Sequence, residues 1–184
     1  RKGELISHVA ILEVPGYHKL LIISDAGINI LPDLMQKAAI IQNAVWVAHS
    51  LGVEKPKVGV LAAVEMVNPK MAATVEAAAL SKMAERGQIK GCMIDGPLGF
   101  DNAISEEAAR HKGIVSAIAG DVDILIVPSI ESGNILYKSI VYFSGARAGG
   151  ILAGARVPII VTSRADSFEV KLNSVKVPKS AMLG

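Results

Sequence analysis

Three kinds of polar side chain follow one apolar run of the sequence, and together they suit an oxyanion. The run Pro158 to Val161 has the pattern of a buried strand. Ser163, Arg164 and Asp166 come directly after it. A guanidinium offers a fixed fork of donors that fits phosphate, and a neighbouring hydroxyl adds a further hydrogen bond. Capping of a following helix does not require all three residues, so the sequence predicts an oxyanion site here.

Polar residues also follow four other apolar runs. They are Asp25, Glu65, Asp95 and Ser129. Because ligands bind at the carboxyl ends of parallel strands, we expect these side chains to gather along one edge of a sheet. The alternative is that each residue only caps the next helix, since serine and aspartate are common N-cap residues.

The motifs of several common enzyme classes are absent. The sequence has no G-x-x-x-x-G-K-[ST] phosphate loop, no G-x-G-x-x-G after its first strand and no G-x-S-x-G elbow. The histidines lack metal-ligand spacing, so we expect no metal site; they are His8, His18, His49 and His111. The single cysteine, Cys92, lies in a predicted strand, which favours a buried thiol over a nucleophile.

The composition indicates a globular chain with a large core. Of its 184 residues, 51% are hydrophobic and 20% are charged. The 19 basic and 17 acidic residues are scattered, so we expect no nucleic-acid partner. No apolar run approaches the roughly 20 residues that cross a bilayer, so we expect no membrane partner. One cysteine cannot form an internal disulfide and no signal segment opens the chain, which favours a cytoplasmic protein.

Short β-branched runs alternate with longer helical ones, which predicts a parallel α/β sheet. Strands are predicted at residues 6–14, 19–24, 57–62, 91–94, 124–127 and 158–161, and helices at residues 34–48, 70–86, 103–112 and 133–143. The first two strands flank Pro15 to His18, which indicates a hairpin. The later strands are continuous apolar runs, as expected of strands covered on both faces. Gly145 to Gly150 is interpreted as a flexible connection.

Three ordered segments resemble successive signatures of the phosphate acetyl/butyryltransferase family. They are Asp95 to Ile104, Ser132 to Lys138 and Thr162 to Ser167. Val64 to Thr74 looks closer to the phosphate butyryltransferase branch than to the acetyltransferase branch. The resemblance runs from about residue 7 to residue 174, and it is to the C-terminal two thirds of a family member.

The resemblance implies reversible acyl transfer between an acyl-CoA, butyryl or branched short-chain, and inorganic phosphate, within one ternary complex. Coenzyme A and phosphate are then substrates, and no cofactor is needed. By position, Arg164 would hold phosphate and Ser163 would hydrogen-bond the reacting sulfur or carbonyl oxygen. An acidic residue would act as the base, with Asp166 favoured and Glu169 as the alternative.

The resemblance also assigns substrate binding to Ser132, Gly133, Asn134 and Lys138, which match a family element at a helix start. Helix-start N–H groups and a lysine can receive an anion. Asp95 of the first signature is assigned to the same site. In the alternative interpretation, Lys138 is only a surface lysine and Asp95 only a turn residue.

The family architecture implies a three-layer sandwich like that of isocitrate and isopropylmalate dehydrogenases, with the N-terminal portion absent. Residues 1–26 and 164–184 would then be parts of a first domain, and residues 27–163 would form the second. Without the rest of the first domain, apolar residues from Leu5 to Ile23 should be exposed. Because the resemblance also implies the dimeric state usual in the family, we expect association as a homodimer.

Two other functions stay open at this stage. One is a non-catalytic module that binds coenzyme A or acyl phosphate. The other is an NAD-dependent oxidoreductase of the same architecture that acts on a hydroxy acid, although the metal-binding aspartate cluster of such enzymes is missing.

Overall fold

A six-stranded sheet forms the centre of the molecule in the computed structural model, which describes residues 5–155 and 159. The strands are β1 (Ser7–Glu13), β2 (Leu21–Ser24), β3 (Lys57–Leu61), β4 (Met93–Leu98), β5 (Ile124–Ile126) and β6 (Arg147–Ala153). Their order across the sheet is β4-β3-β5-β2-β1-β6. Strands β4, β3, β5 and β2 are parallel, whereas β1 is antiparallel to both β2 and β6. The sheet is therefore mixed and mostly parallel.

Helices cover both faces of this sheet. They are α1 (Leu34–Ser50), α2 (Ala72–Glu85), α3 (Phe100–Ile104), α4 (Glu106–His111) and α5 (Ile130–Ser144). Side chains of α1 and α2 share one apolar core with one face of the sheet. Side chains of α3 and α5 share a second core with the other face. The predicted three-layer α/β architecture is confirmed.

The hairpin strands are central elements of the sheet, which corrects one expectation. Val9 of β1 belongs to the core on the α1 side, and Leu12 belongs to the core on the α5 side; both are fully buried. Because β1 pairs on both edges and is covered on both faces, the segment from Leu5 to Ile23 does not form an exposed apolar surface. Ile6 and Leu20 are its exposed large apolar residues.

Local sequence signals explain where α1 begins and ends. The Asp33 carboxylate accepts a hydrogen bond from the Gln36 N–H at 2.8 Å, and the Gln36 side chain accepts from the Asp33 N–H at 2.9 Å. This reciprocal pair satisfies two N–H groups that lack partners within the helix. After the C-cap residue Leu51, Gly52 adopts φ +90°, which favours glycine. The predicted start and stop of this helix are confirmed.

Two helix boundaries differ from the sequence prediction. The helix predicted at residues 103–112 is two short helices, because Ser105 has extended backbone and its hydroxyl caps α4 by accepting from the Ala108 N–H at 3.2 Å. The helix predicted from Gly133 begins at Ile130, because Ser129 rather than a later residue is its N-cap. In both cases a serine hydroxyl determines the boundary.

The segment Gly145 to Gly150, interpreted from sequence as a flexible connection, contains the first half of β6. Gly149 and Gly150 pair with Ile11 and Ala10 of β1. Glycine carries no strand signal of its own, so this strand depends on pairing with a distant part of the chain. The interpretation as a flexible connection was therefore wrong.

Strands β1 and β2 belong to the same sheet as the strands that follow residue 27. The assignment of residues 1–26 and 164–184 to a first domain stays a prediction, since residues 160–184 lie outside the described part of the chain. Across the described ranges, no helix is long and apolar enough to cross a membrane.

Candidate functional site

The carboxyl ends of four parallel strands meet along one edge of the sheet, as the sequence predicts. Asp25 follows β2, Ser129 follows β5 shortly after its end, and Glu65 follows β3. Asp95 differs, because β4 continues to Leu98 and places Asp95 within the strand. We call this side of the molecule the carboxyl edge.

Asp25 organises the loop that leaves β2. The residue is 2% exposed, and its carboxylate accepts hydrogen bonds from the backbone N–H groups of Gly27 at 2.8 Å, Ile28 at 3.0 Å and Asn29 at 3.1 Å. The Asn29 side-chain amide donates to the same carboxylate. A buried carboxylate is tolerated when hydrogen bonds replace its hydration, and these bonds hold residues 27–29 around Asp25.

The loop of residues 25–31 is attached to the start of α5 by two hydrogen bonds. The Ile130 N–H donates to the Ile30 carbonyl at 2.9 Å, and the Asn134 side-chain amide donates to the Ala26 carbonyl at 3.3 Å. The helix therefore begins against a loop that Asp25 has already ordered.

Gly133 lets the loop and α5 approach each other closely. A Cβ atom at this position would lie 2.8 Å from the Asp25 carbonyl oxygen and 2.7 Å from Val127 Cγ2. Neither distance is compatible with a side chain. Gly133 thus explains why glycine stands in the segment Ser132 to Lys138.

Capping already occupies much of the first turn of α5. The Ser132 N–H donates to the Ser129 hydroxyl at 3.4 Å, the Gly133 N–H donates to the Ser129 carbonyl at 3.0 Å, and the Ser132 hydroxyl donates to that carbonyl at 2.8 Å. An anion at this helix end would therefore interact mainly with the helix dipole and with side chains.

Asn134 and Lys138 are the side chains best placed for that interaction among the residues of α5 predicted to bind substrate. They lie four residues apart and so share one face of the helix. Lys138 is exposed and forms no hydrogen bond or ion pair with the part of the chain that the structure describes. Ser132, Gly133, Asn134 and Lys138 thus lie on one helix, and the N-terminus of that helix is at the carboxyl edge.

Asp95 forms a local hydrogen bond instead of joining that group. Its carboxylate accepts from the Gly96 N–H at 2.8 Å, and its backbone pairs with Gly59 of β3. A Cβ at Gly96 would lie 2.8 Å from the Val60 carbonyl oxygen, so this glycine permits close packing of β4 on β3. These contacts shape the strand, and substrate binding by Asp95 stays a prediction.

A charged cluster that sequence analysis missed ties together the ends of β3 and β4. The Lys112 ammonium forms ion pairs with Glu65 and, at 2.9 Å, with Asp101. The fully buried Asn102 donates its side-chain amide to Glu65. The hydrogen bonds from Lys112 lower the pKa values of Glu65 and Asp101. Glu65 and Lys112 are 47 residues apart, so no local pattern reveals their pairing.

The predicted oxyanion cluster lies outside the described residues. This holds for Ser163, Arg164 and Asp166, and for the alternative base Glu169. Of the predicted strand at residues 158–161, Ile159 is described, and its carbonyl accepts from the Leu152 N–H at 2.9 Å.

The remaining candidate groups were Cys92 and the histidines. Burial raises the pKa of the Cys92 thiol to about 11, so the thiol is protonated at neutral pH, in keeping with an inert side chain. Within residues 5–155, no three histidine, cysteine, aspartate or glutamate side chains are grouped closely enough to hold a metal ion.

The described residues form a three-layer α/β protein with polar and charged side chains at the carboxyl edge of a mostly parallel sheet. The chain belongs to the phosphate acetyl/butaryl transferase family, which its residues 1–177 match. The resemblance drawn from the three motifs is therefore confirmed.

Characterised relatives are similar over nearly the whole chain. The phosphate butyryltransferase of Clostridium beijerinckii is 53% identical over 175 residues, covering 95% of this chain and 58% of that protein. The phosphate acetyltransferase of Rhizobium meliloti is 55% identical over 179 residues, covering 96% of this chain and 56% of that protein. The chain thus spans little more than half the length of these relatives. Its identity to the butyryltransferase and to the acetyltransferase is nearly the same.

A solved structure supports the fold. The branched-chain phosphotransacylase from Enterococcus faecalis V583 superposes with a TM-score of 0.88 at 39% sequence identity, covering 98% of this chain and 64% of that chain.

Proposed function

We propose that the protein containing this chain transfers a short acyl group, butyryl or branched, between coenzyme A and inorganic phosphate. The observation that carries the proposal is the family match over residues 1–177, together with relatives named phosphate butyryltransferase and branched-chain phosphotransacylase. Relatives named phosphate acetyltransferase have a similar identity to this chain. The choice of a butyryl or branched acyl group is therefore a separate step of the proposal, beyond acyl transfer itself.

The reaction needs no covalent enzyme intermediate when both substrates are bound together. A phosphate oxygen attacks the thioester carbonyl carbon, the carbon–sulfur bond breaks, and coenzyme A leaves as a thiolate that takes up a proton. In the reverse direction a base removes the thiol proton, and the sulfur attacks the carbonyl carbon of the acyl phosphate as phosphate leaves. Catalysis then consists of positioning and electrostatic stabilisation.

The described residues supply one side of such a site. Helix α5 carries Asn134 in its second turn and Lys138 one turn further on, and its N-terminus, with the positive end of the helix dipole, lies at the carboxyl edge. In this proposal Arg164 holds phosphate, Ser163 hydrogen-bonds the reacting sulfur or carbonyl oxygen, and Ser132, Gly133, Asn134, Lys138 and Asp95 line the substrate site. Asp166 is the favoured base, with Glu169 as the alternative.

The proposal also includes the setting of the reaction. Coenzyme A and phosphate act as substrates, and no cofactor takes part. We propose a cytoplasmic homodimer. The lone cysteine, Cys92, supports a reducing compartment, and exposed Ile135, Tyr142 and Phe143 on α5 offer apolar surface for association.

The test is thiol release by the full-length protein from butyryl-CoA, isobutyryl-CoA and acetyl-CoA in the presence of phosphate. Phosphate-dependent release supports the proposal, and the ranking of the three substrates identifies the acyl group. Binding of coenzyme A by calorimetry without any release would contradict it and favour a non-catalytic module. Reduction of NAD by a hydroxy acid would instead favour the oxidoreductase.

A further inference from the structure

His8 lies at the carboxyl edge although it comes near the beginning of the described chain. It is the second residue of β1, and Ala10 of that strand pairs with Ile23 of β2. Continuing this antiparallel register places His8 beside the carboxyl end of β2, where the Ser24 hydroxyl donates to the His8 carbonyl at 2.8 Å. On its other side His8 pairs with Leu152, near the end of β6.

The imidazole of His8 faces α5. Side chains alternate along a strand, and Ala10 and Leu12 belong to the core on the α5 side, so His8 shares their face. Its ring meets the ring of Tyr137 edge to face, with centroids 6.4 Å apart and planes at 86°. Tyr137 lies between Asn134 and Lys138 on α5.

Two glycines make room for this ring. A Cβ at Gly27 would lie 3.3 Å from His8 Cγ, and a Cβ at Gly150 would lie 2.9 Å from His8 Nε2. The ring is therefore held between the loop after β2 and strand β6, with Tyr137 against its side. His8 is half-buried, and its Nδ1 is fully buried.

We propose that His8 is a positioning residue of the acyl-transfer site: its ring nitrogens and its contact with Tyr137 hold the α5 turn that carries Asn134 and Lys138. The proposal rests on the proposed function, because it gives those two side chains the task of meeting phosphate. An apolar ring of similar size would fill the same space. A histidine adds ring nitrogens that can hold polar groups at the edge where the ligand binds.

The kinetic test uses variants of the full-length protein that separate packing from hydrogen bonding. His8→Phe keeps a ring against Tyr137 and removes both nitrogens, whereas His8→Asn and His8→Gln each replace the ring with a carboxamide that keeps one side-chain nitrogen. We expect His8→Phe to raise the KM for phosphate or lower kcat/KM for phosphate about tenfold, with the KM for butyryl-CoA changed less than twofold. Partial rescue by Asn or by Gln identifies the nitrogen that matters. The matched control is His111→Phe on α4, which should leave both KM values unchanged.

A second readout does not depend on turnover. Inorganic phosphate is titrated into the protein while the imidazole NMR resonances are followed, with those of His18, His49 and His111 as internal references. A selective, saturable shift of His8 supports the proposal even in a protein that releases no thiol, in which case only the proposed function fails. Normal kinetics in His8→Phe, equal loss in every kinetic parameter together with a lower melting temperature, or no phosphate-dependent His8 shift would each overturn it.

Discussion

The two edges of the sheet use their charged groups in different ways. We call the opposite side of the sheet, where the parallel strands β2, β3 and β5 begin, the amino edge. There Asp121 accepts a hydrogen bond from His18 at 2.7 Å and forms ion pairs with Lys19 at 2.8 Å and with Lys57. Asp123 accepts from the Lys57 N–H at 2.7 Å and pairs with Lys19 at 2.9 Å. Lys19 and Lys57 thus each have an acidic partner within the protein.

At the carboxyl edge, some charged groups have partners within the protein and one is exposed to solvent. Asp25 is satisfied by N–H groups of its own loop, and Lys112 is bonded to Glu65 and Asp101. Lys138 instead extends into solvent from the face of α5 that also carries Asn134. A closed network stabilises the fold, whereas an ammonium group in solvent is available to an anionic ligand. Changes at the carboxyl edge should therefore alter catalysis, and changes at the amino edge should alter stability.

The largest effect is expected at the proposed base. In the full-length enzyme, Asp166→Asn should slow synthesis of acyl-CoA from acyl phosphate by about two to four orders of magnitude, because a positioned general base contributes that much. The affinity for coenzyme A, measured by calorimetry, should change far less. Glu169→Gln is the matched control. If Glu169→Gln shows the large loss while Asp166→Asn keeps its rate, Glu169 is the base.

A smaller loss is expected at the proposed phosphate ligand. Arg164→Gln should lower kcat/KM for phosphate by roughly tenfold to a hundredfold, since hydrogen bonds to charged groups contribute about 1.5 to 3 kcal/mol. Steady-state kinetics with varied phosphate measures this effect. Arg164→Lys should restore little, because an ammonium lacks the planar fork of a guanidinium. Unchanged phosphate kinetics in the glutamine variant would remove Arg164 from the site.

The elements that could be predicted from sequence are those with local signals. The capping pair of Asp33 and Gln36 and the terminal Gly52 define α1 within the chain itself. The turn from Pro15 to His18 does the same for the hairpin. Residues 145–150 carry no such signal, and β6 was missed because its pairing partner is β1.

The candidate site was predictable in part for the same reason. The motif around Ser132 marks the correct helix, but the serine that begins the helix is Ser129, which the motif does not include. The pairing of Glu65 with Lys112 depends on the tertiary fold. Likewise, nothing in the sequence near His8 indicates that Gly27 and Gly150 will border its ring.

Gly133 provides a test of how closely the carboxyl edge is built. Gly133→Ala places a methyl group 2.8 Å from the Asp25 carbonyl oxygen, so the loop or α5 must move. Overpacking of this kind costs about 1 to 3 kcal/mol, and urea unfolding should show the loss. The KM for phosphate should rise as well, since Asn134 lies on the displaced turn. Val75→Ala, an exposed position on α2, is the control and should stay within about 0.5 kcal/mol of the wild type. Unchanged unfolding in Gly133→Ala would show that the loop and helix are not in close contact.

The smallest effect is expected at the amino edge, where it should concern stability alone. Partial burial raises the pKa of Asp121, but hydrogen bonds from Lys19, Lys57 and His18 outweigh it and hold the pKa well below its ordinary value. A carboxyl whose pKa is lower in the folded state stabilises the fold above its unfolded pKa of about 3.9, and that contribution is lost as the pH falls below this value. Asp121→Asn should therefore lower the free energy of unfolding by about 1 kcal/mol at pH 7, and the difference from the wild type should shrink toward pH 3. Urea unfolding across this range measures the difference, with Glu85→Gln in the exposed pair with Lys82 as a control that should change little.

Both variants should keep the kcat and both KM values of the wild type. If Asp121→Asn lowers kcat or raises a KM under conditions where the variant is fully folded, the two edges are coupled. If its loss of stability does not shrink in acid, the charge of Asp121 is not the cause of that loss.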